Sequence, residues 1–165
     1  MDAGTSLALE LANTIYAVRG RRQDGLDAWL DQRGADADRT RFTELRDAVR
    51  TLIQAASEGA GYPPEARAIV NQASAAAPSW LELTDEPGIE EKSAPAGSAA
   101  DIELAAVARD AIALLAGERR EALRPCQAPA CLQFFLKAHP RQEFCGPACG
   151  NRARVARHYA RHKDQ

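Results

Sequence analysis

A chain of 165 residues, 45% hydrophobic and 27% charged, suits one globular domain or one domain plus a small module. Only 5% is aromatic, so the core must rest on Leu, Ile, Val and Ala, and no apolar run approaches the roughly 20 residues that span a bilayer. The net charge of −2 hides a split, with ten basic and four acidic residues from Glu118 onward against eleven and nineteen before it: an acidic body carries a basic tail, suited to a polyanionic partner or to attraction by the body itself.

The opening stretch, "MDAGTSLALELANTIYAV", lacks the basic leader of a secretory signal and is interrupted by Glu10 and Asn13. It predicts a cytoplasmic protein whose thiols stay reduced. Leu7, Leu11, Ile15 and Val18 recur at helical spacing and predict a first helix through Val18. Asn13 and Thr14 interrupt it; such residues bond within a helix or face solvent, or they line a pocket for a small ligand. A short helix follows in "DGLDAWL", with Asp24 as its cap. "RFTELRDAVRTLIQAA" gives the clearest helix: Phe42, Leu45, Val49, Leu52 and Ile53 form one stripe, and Gly59 and Gly61 end it. "PPEARAIVNQA" opens on prolines that suit a first helical turn.

"SWLELTDEPGIEEKSA" reads as a hairpin about the turn "DEPG", and "PAGS" as a flexible connection. Ser98 with Asp101 resembles a capping box, opening a helix whose buried stripe is Leu104, Val107, Ala111, Leu114 and Leu115. Gly117 or the following "ERREALRP" closes it, and Pro125 marks the start of a module. Trp29 and Trp80 read as core anchors. The fold class is mainly α: a helical domain with a small β-hairpin over residues 1–120, then a module over 121–165.

All four cysteines lie in that module, spaced Cys126-x4-Cys131-x13-Cys145-x3-Cys149. Both local gaps fit structural zinc, and four thiolates close a tetrahedral shell with no open position. Two disulfides are the rival pairing, disfavoured by a reducing compartment. His139, His158 and His162 are substitutes that a complete cysteine set makes unnecessary. Thirteen residues between the pairs allow a hairpin, with "LQFFLKAH" and "RQEF" as its strands and His139-Pro140 as the turn. Gly146 suits the cap and Pro147 the first position of the last helix, which places Cys149 in its first turn. Knuckle, hairpin and ligand-donating helix resemble a treble-clef finger, folded around one structural Zn2+.

"CGPACGNR" followed by a basic helix resembles the CGNR zinc-finger proteins of bacteria, and "LALELANTIYAVRGRRQDGLDAWL" resembles the opening of their helical N-terminal domain, ABATE. The resemblance covers nearly the whole chain and implies a stress-induced transcription regulator. The segment "KAHPRQEFC" is shorter and less basic than the family's usual run, which leaves the zinc site intact and weakens a nucleic-acid role for the finger's hairpin.

On a last helix from Asn151 to Lys163, Arg154, Arg157 and Arg161 fall on one side with His158 beside them, a stripe suited to phosphates and guanine edges. Val155, Ala156 and Tyr159 fall on the other side and are expected to pack on the finger. Arg152 points to the packing side and is read as bonding finger carbonyls; Asn151 caps or bonds locally, and Gly150 completes this structural support. No motif of an enzyme is present. The sequence therefore predicts a zinc-binding regulator that contacts DNA through its basic helix, aided by a homodimer or a second module. The rival is a zinc-stabilised adaptor for an acidic protein partner. Neither reading involves a membrane, and neither names a small-molecule effector.

Overall fold

Ser6 starts the first helix, α1 (Leu7–Ala12), by accepting a hydrogen bond from the Leu9 N–H at 3.3 Å, while Asp110 accepts from the Ala8 N–H at 2.9 Å. The computed structural model describes residues 6–33, 38–93 and 97–163. Here α1 stops at Ala12, short of the expected end at Val18. The Thr14 hydroxyl donates to the Leu11 carbonyl at 2.8 Å, and the Asn13 N–H folds back on Leu9 and Glu10. The chain then turns into a hairpin of β1 (Ile15–Val18) and β2 (Arg21–Asp24). Ile, Tyr and Val favour strand over helix, so the helical spacing of Ile15 and Val18 was coincidental. Arg19 (φ 50°) and Gly20 (φ 77°) form the turn, a left-handed pair that matches the twist of a two-residue hairpin loop.

Asp24 sits one residue before the cap of α2 (Leu26–Gln32) and accepts from the Leu26 N–H at 3.0 Å. The expected stripes of α3 (Arg39–Ser57) and α5 (Ala99–Ala116) are buried throughout, and α4 (Pro64–Ser74) starts on its proline. Gly59, at φ 69°, ends α3 in the left-handed conformation that glycine adopts without a Cβ clash. Ser98 and Asp101 form a reciprocal capping box on α5. The segment read as a connection, "PAGS", lies partly outside the described residues. Helices α3, α4 and α5 pack in sequence, and α1 lies across α3 and α5.

The second hairpin forms as expected, from β3 (Ser79–Leu83) and β4 (Ile89–Ser93). It has no third strand among the described residues, and Trp80 is not a core anchor. It is 47% exposed, and its indole N–H donates to Glu82 at 2.7 Å. Trp29 does border the core, tilted against Phe42 at 6.0 Å with the Arg33 guanidinium 4.4 Å above its ring.

A 3₁₀ turn over Glu118–Ala122 leads into β5 (Leu123–Pro125), which pairs with β6 (Phe134–Leu136). This is a correction to the expected hairpin: "LQFFLKAH" does supply a strand, but its partner precedes the first cysteine, and "RQEF" forms no strand. Pairing across Cys126–Gln133 closes a short loop and extends the ladder, since the Cys126 N–H donates to the Gln133 carbonyl at 2.9 Å. His139-Pro140 does turn the chain, with the Gln142 N–H donating to the His139 carbonyl at 2.9 Å. The last helix, α6, spans Pro147–Lys163.

Candidate metal centre

The loop between β5 and β6 carries Cys126 and Cys131. A turn from Ala128, in which the Cys131 N–H donates to its carbonyl at 3.0 Å, and Ala130 at φ 58° bend it into a knuckle. Cys145 precedes α6, and Cys149 lies in its first turn. The Gln127 N–H donates to the Glu143 carbonyl at 3.0 Å and joins the two halves. All four sulfurs lie within 4.8 Å of one another. Zn–S bonds of about 2.3 Å in a tetrahedron require S···S separations of about 3.8 Å. The measured separations are 3.9 Å for Cys131–Cys145, 3.5 Å for Cys145–Cys149 and 3.8 Å for Cys149–Cys131. The cage thus fits one structural zinc ion, and the cysteines are not paired as disulfides.

The electrostatics fit a cation as well. Burial first, and then the neighbouring thiols, push Cys131 and Cys145 above the usual thiol range. Burial also acts to raise Cys126, but N–H groups of Cys145 and Ala128 outweigh it and lower the thiol. The Cys145 N–H stands 3.3 Å from the Cys126 sulfur. Four thiolates packed this tightly repel one another, and a divalent cation removes that conflict. Arg152 adds a fixed charge. It is on the packing side, as expected, but its guanidinium donates to the Cys149 sulfur at 3.2 Å and not to finger carbonyls. Gly150 faces Phe144, where an added Cβ would make an ordinary contact with the ring at 3.4 Å.

Ala153 is buried and Ala156 half-buried, so α6 rests on the finger through small residues. The expectation for Val155 and Tyr159 is overturned: they are 46% and 70% exposed. At about 100° per residue Val155 lies about a third of a turn, and Tyr159 about a quarter-turn, from the line through Cys149, Ala153 and Ala156. Arg154, Arg157, His158 and Arg161 are all exposed. Arg154 and Arg161 have no hydrogen bond or ion pair among the described residues. Arg157 sits at the edge, its Nε donating to the Ala153 carbonyl at 3.4 Å, and the His158 ring meets Tyr159 edge-on at 6.1 Å. Among the described residues Asn151 neither caps nor bonds locally. It is exposed on the outer side, in line with Arg154 and His158. His139 is held in its own turn, where its Nδ1 accepts from the Arg141 N–H at 3.1 Å.

Two family models match the chain. One, ABATE, is described as "Putative stress-induced transcription regulator" and matches residues 5–118; the other, the CGNR zinc finger, matches residues 122–162. The chain belongs to the ABATE family. Its C-terminal part is a CGNR zinc finger whose metal ligands are Cys126, Cys131, Cys145 and Cys149. No protein of curated function shows significant similarity to the chain. No helix among the described residues is long and apolar enough to cross a membrane.

The ABATE domain and the finger share a wall. Leu123 and Phe134, on one face of the β5–β6 ladder, belong to the helical core, whereas Phe135, on the other face, packs with Cys126 and Ala128. Asn13 brackets Phe134: its Nδ2 donates to the Phe134 carbonyl at 2.9 Å and its Oδ1 accepts from the Phe134 N–H at 2.8 Å. Arg50 donates to the carbonyls of Ala12 at 2.6 Å and Leu132 at 2.9 Å, and stacks on the Phe134 ring at 4.9 Å. These contacts replace the ligand-pocket reading of Asn13 and Thr14, since both side chains are satisfied by protein. A polar residue in an apolar helix was the visible signal for Asn13. Arg50, on a helix rich in charge, gave none.

Proposed function

We propose that the chain is a DNA-binding regulator that docks the outer face of α6 on duplex DNA, with the zinc cage as the scaffold that aims it. The observation that carries this reading is the exposed arginine side of α6, where Arg154 and Arg161 have no hydrogen bond or ion pair among the described residues and Arg157 stands at the edge. Arg154, Arg157 and Arg161 suit phosphate oxygens and guanine edges, and Asn151 and His158 lie between them and Val155. The treble-clef-like order of knuckle and helix supports the same reading. Zinc held by four sulfurs has no open position, so the reading includes no catalysis. Reduced thiolates suit a cytoplasmic setting in a bacterium.

An electrophoretic shift series with the zinc-loaded protein tests it. Binding should weaken steeply as salt rises, because roughly three or four phosphate contacts release counterions. Changing Arg154, Arg157 and Arg161 to alanine should remove most of it. Absent or salt-insensitive binding would overturn the reading. Exposed Tyr159 and Val155 on the same helix favour a second one, a zinc-stabilised adaptor that meets an acidic protein partner. A partner retained after nuclease treatment, and lost on Tyr159→Ala, would decide for it.

A further inference from the structure

The arginines of the ABATE domain fall into two groups. Arg33, Arg39, Arg41, Arg46 and Arg109 lie against carboxylates, and Arg50 against carbonyls. Arg19, Arg21 and Arg22 instead crowd the tip of the β1–β2 hairpin. All three are exposed, and none has a hydrogen bond or ion pair through its side chain among the described residues. Arg67 is also unpaired, but it stands apart on α4. The acidic body thus pairs five of its ten arginines with carboxylates and leaves one cluster open.

The backbone adds a second observation. Arg19 holds φ 50° at the first central position of the turn. Asn, Asp or Gly takes that conformation at lower cost. A long cation kept there points to a use for its side chain.

The hairpin is also fixed to the finger. Asn13, two residues before β1, is bonded to Phe134 on both sides of its backbone. Along the hairpin, from Ile15 to Arg22, a concavity of about 280 Å³ is lined also by Asp47, Arg50, Thr51 and Leu132, and Leu132 follows the ligand Cys131. Arg22 and Arg50 share this lining beside the knuckle with the single carboxylate of Asp47.

We infer that the β1–β2 hairpin is a second phosphate-contacting wing, which grips the DNA backbone through Arg19, Arg21 and Arg22 while α6 docks. The inference rests on the DNA-binding reading of α6. It supplies from within one chain the second contact that a short basic helix needs for tight binding. Its contribution is independent of base sequence, because it goes to phosphates.

Fluorescence anisotropy of the zinc-loaded full chain with a mixed-sequence duplex, across a potassium chloride series, tests it. The variant R19N/R21Q/R22Q should lower the slope of log K against log salt by about 2 to 3, and affinity at about 0.1 M salt by tenfold or more. R19K/R21K/R22K should keep both, since phosphate contact needs charge and not a planar fork. Zinc content and thermal unfolding verify the fold of each variant. Should the triple variant fold poorly, Arg19→Asn alone suits the turn better than arginine and should still reduce the slope by about 0.9. An unchanged slope in variants of a protein that binds DNA overturns the wing and leaves α6 standing. If the wild-type protein binds no duplex at low salt, both fall.

Discussion

Asn13 does the work of a strand residue without being in a strand. Its amide presents one donor and one acceptor to the backbone of Phe134, 121 positions away. Replacing it by alanine leaves that N–H and carbonyl unpaired in a half-buried place. Asn13→Ala should therefore lower stability by about 2 kcal/mol in denaturant unfolding, with loss of zinc at a lower denaturant concentration than in the wild type. The residue itself was conspicuous in the sequence, because it broke an apolar run, but its partner was out of reach: no local pattern encodes a contact over that separation. The cysteines are the opposite case. Their spacing sufficed to nominate all four as ligands, since paired thiols at those gaps have few other uses in a reducing compartment. Arg152 falls between these cases. Its side of the helix followed from the 3.6-residue period, whereas its bond to sulfur depends on how close α6 approaches the cage.

Helices with long stripes and clear ends were legible as whole elements, as α3 and α5 show. The box on α5 also makes that helix sensitive to acid. Asp101 is held down to about 2, first by the Arg41 guanidinium and then by the N–H and hydroxyl of Ser98. In an unfolded chain the same carboxyl titrates near 3.8. Folding thus gains from the ionised form above about pH 4, and the gain disappears as pH falls toward about 2. Urea unfolding followed through that window should show stability dropping in the wild type and a flatter curve in Asp101→Asn. The short elements were harder to read. A four-residue strand and a continued helix look alike when apolar positions sit at i and i+4, as Leu11 and Ile15 do; only the end bonds of Asn13 and Thr14 separate them. Likewise "RQEF" read as a strand only from its place after a turn, but β6 was already paired with β5, which precedes the cysteines. The exposure of Tyr159 was illegible for a related reason. A finger this small has only enough surface to cover alanines.

At the scale of the molecule, the finger is not a bead on a string. Its ladder contributes Leu123 and Phe134 to the helical core, and the remaining cluster of Cys126, Ala128 and Phe135 is too small to hold itself together without metal. Zinc binding supplies on the order of 10 kcal/mol to such modules. Chelation under reducing conditions should therefore do more than unfold the last 40 or so residues. It should lower the melting temperature followed by the helical signal of the ABATE domain, and calorimetry of the zinc-loaded protein should show one transition in place of two. Two separate transitions, with the first alone moved by chelator, would show that the shared wall is weak. A change of charge and a proline near residue 120 were readable. The sharing across it was not, because nothing in a local stretch distinguishes a strand that ends one core from a strand that serves two.

Phe134 and Phe135 are neighbours joined by one peptide unit, yet they anchor in separate interiors. Strand β6 therefore serves both interiors at once, so a substitution that disturbs either ring acts on the one strand that also carries the other.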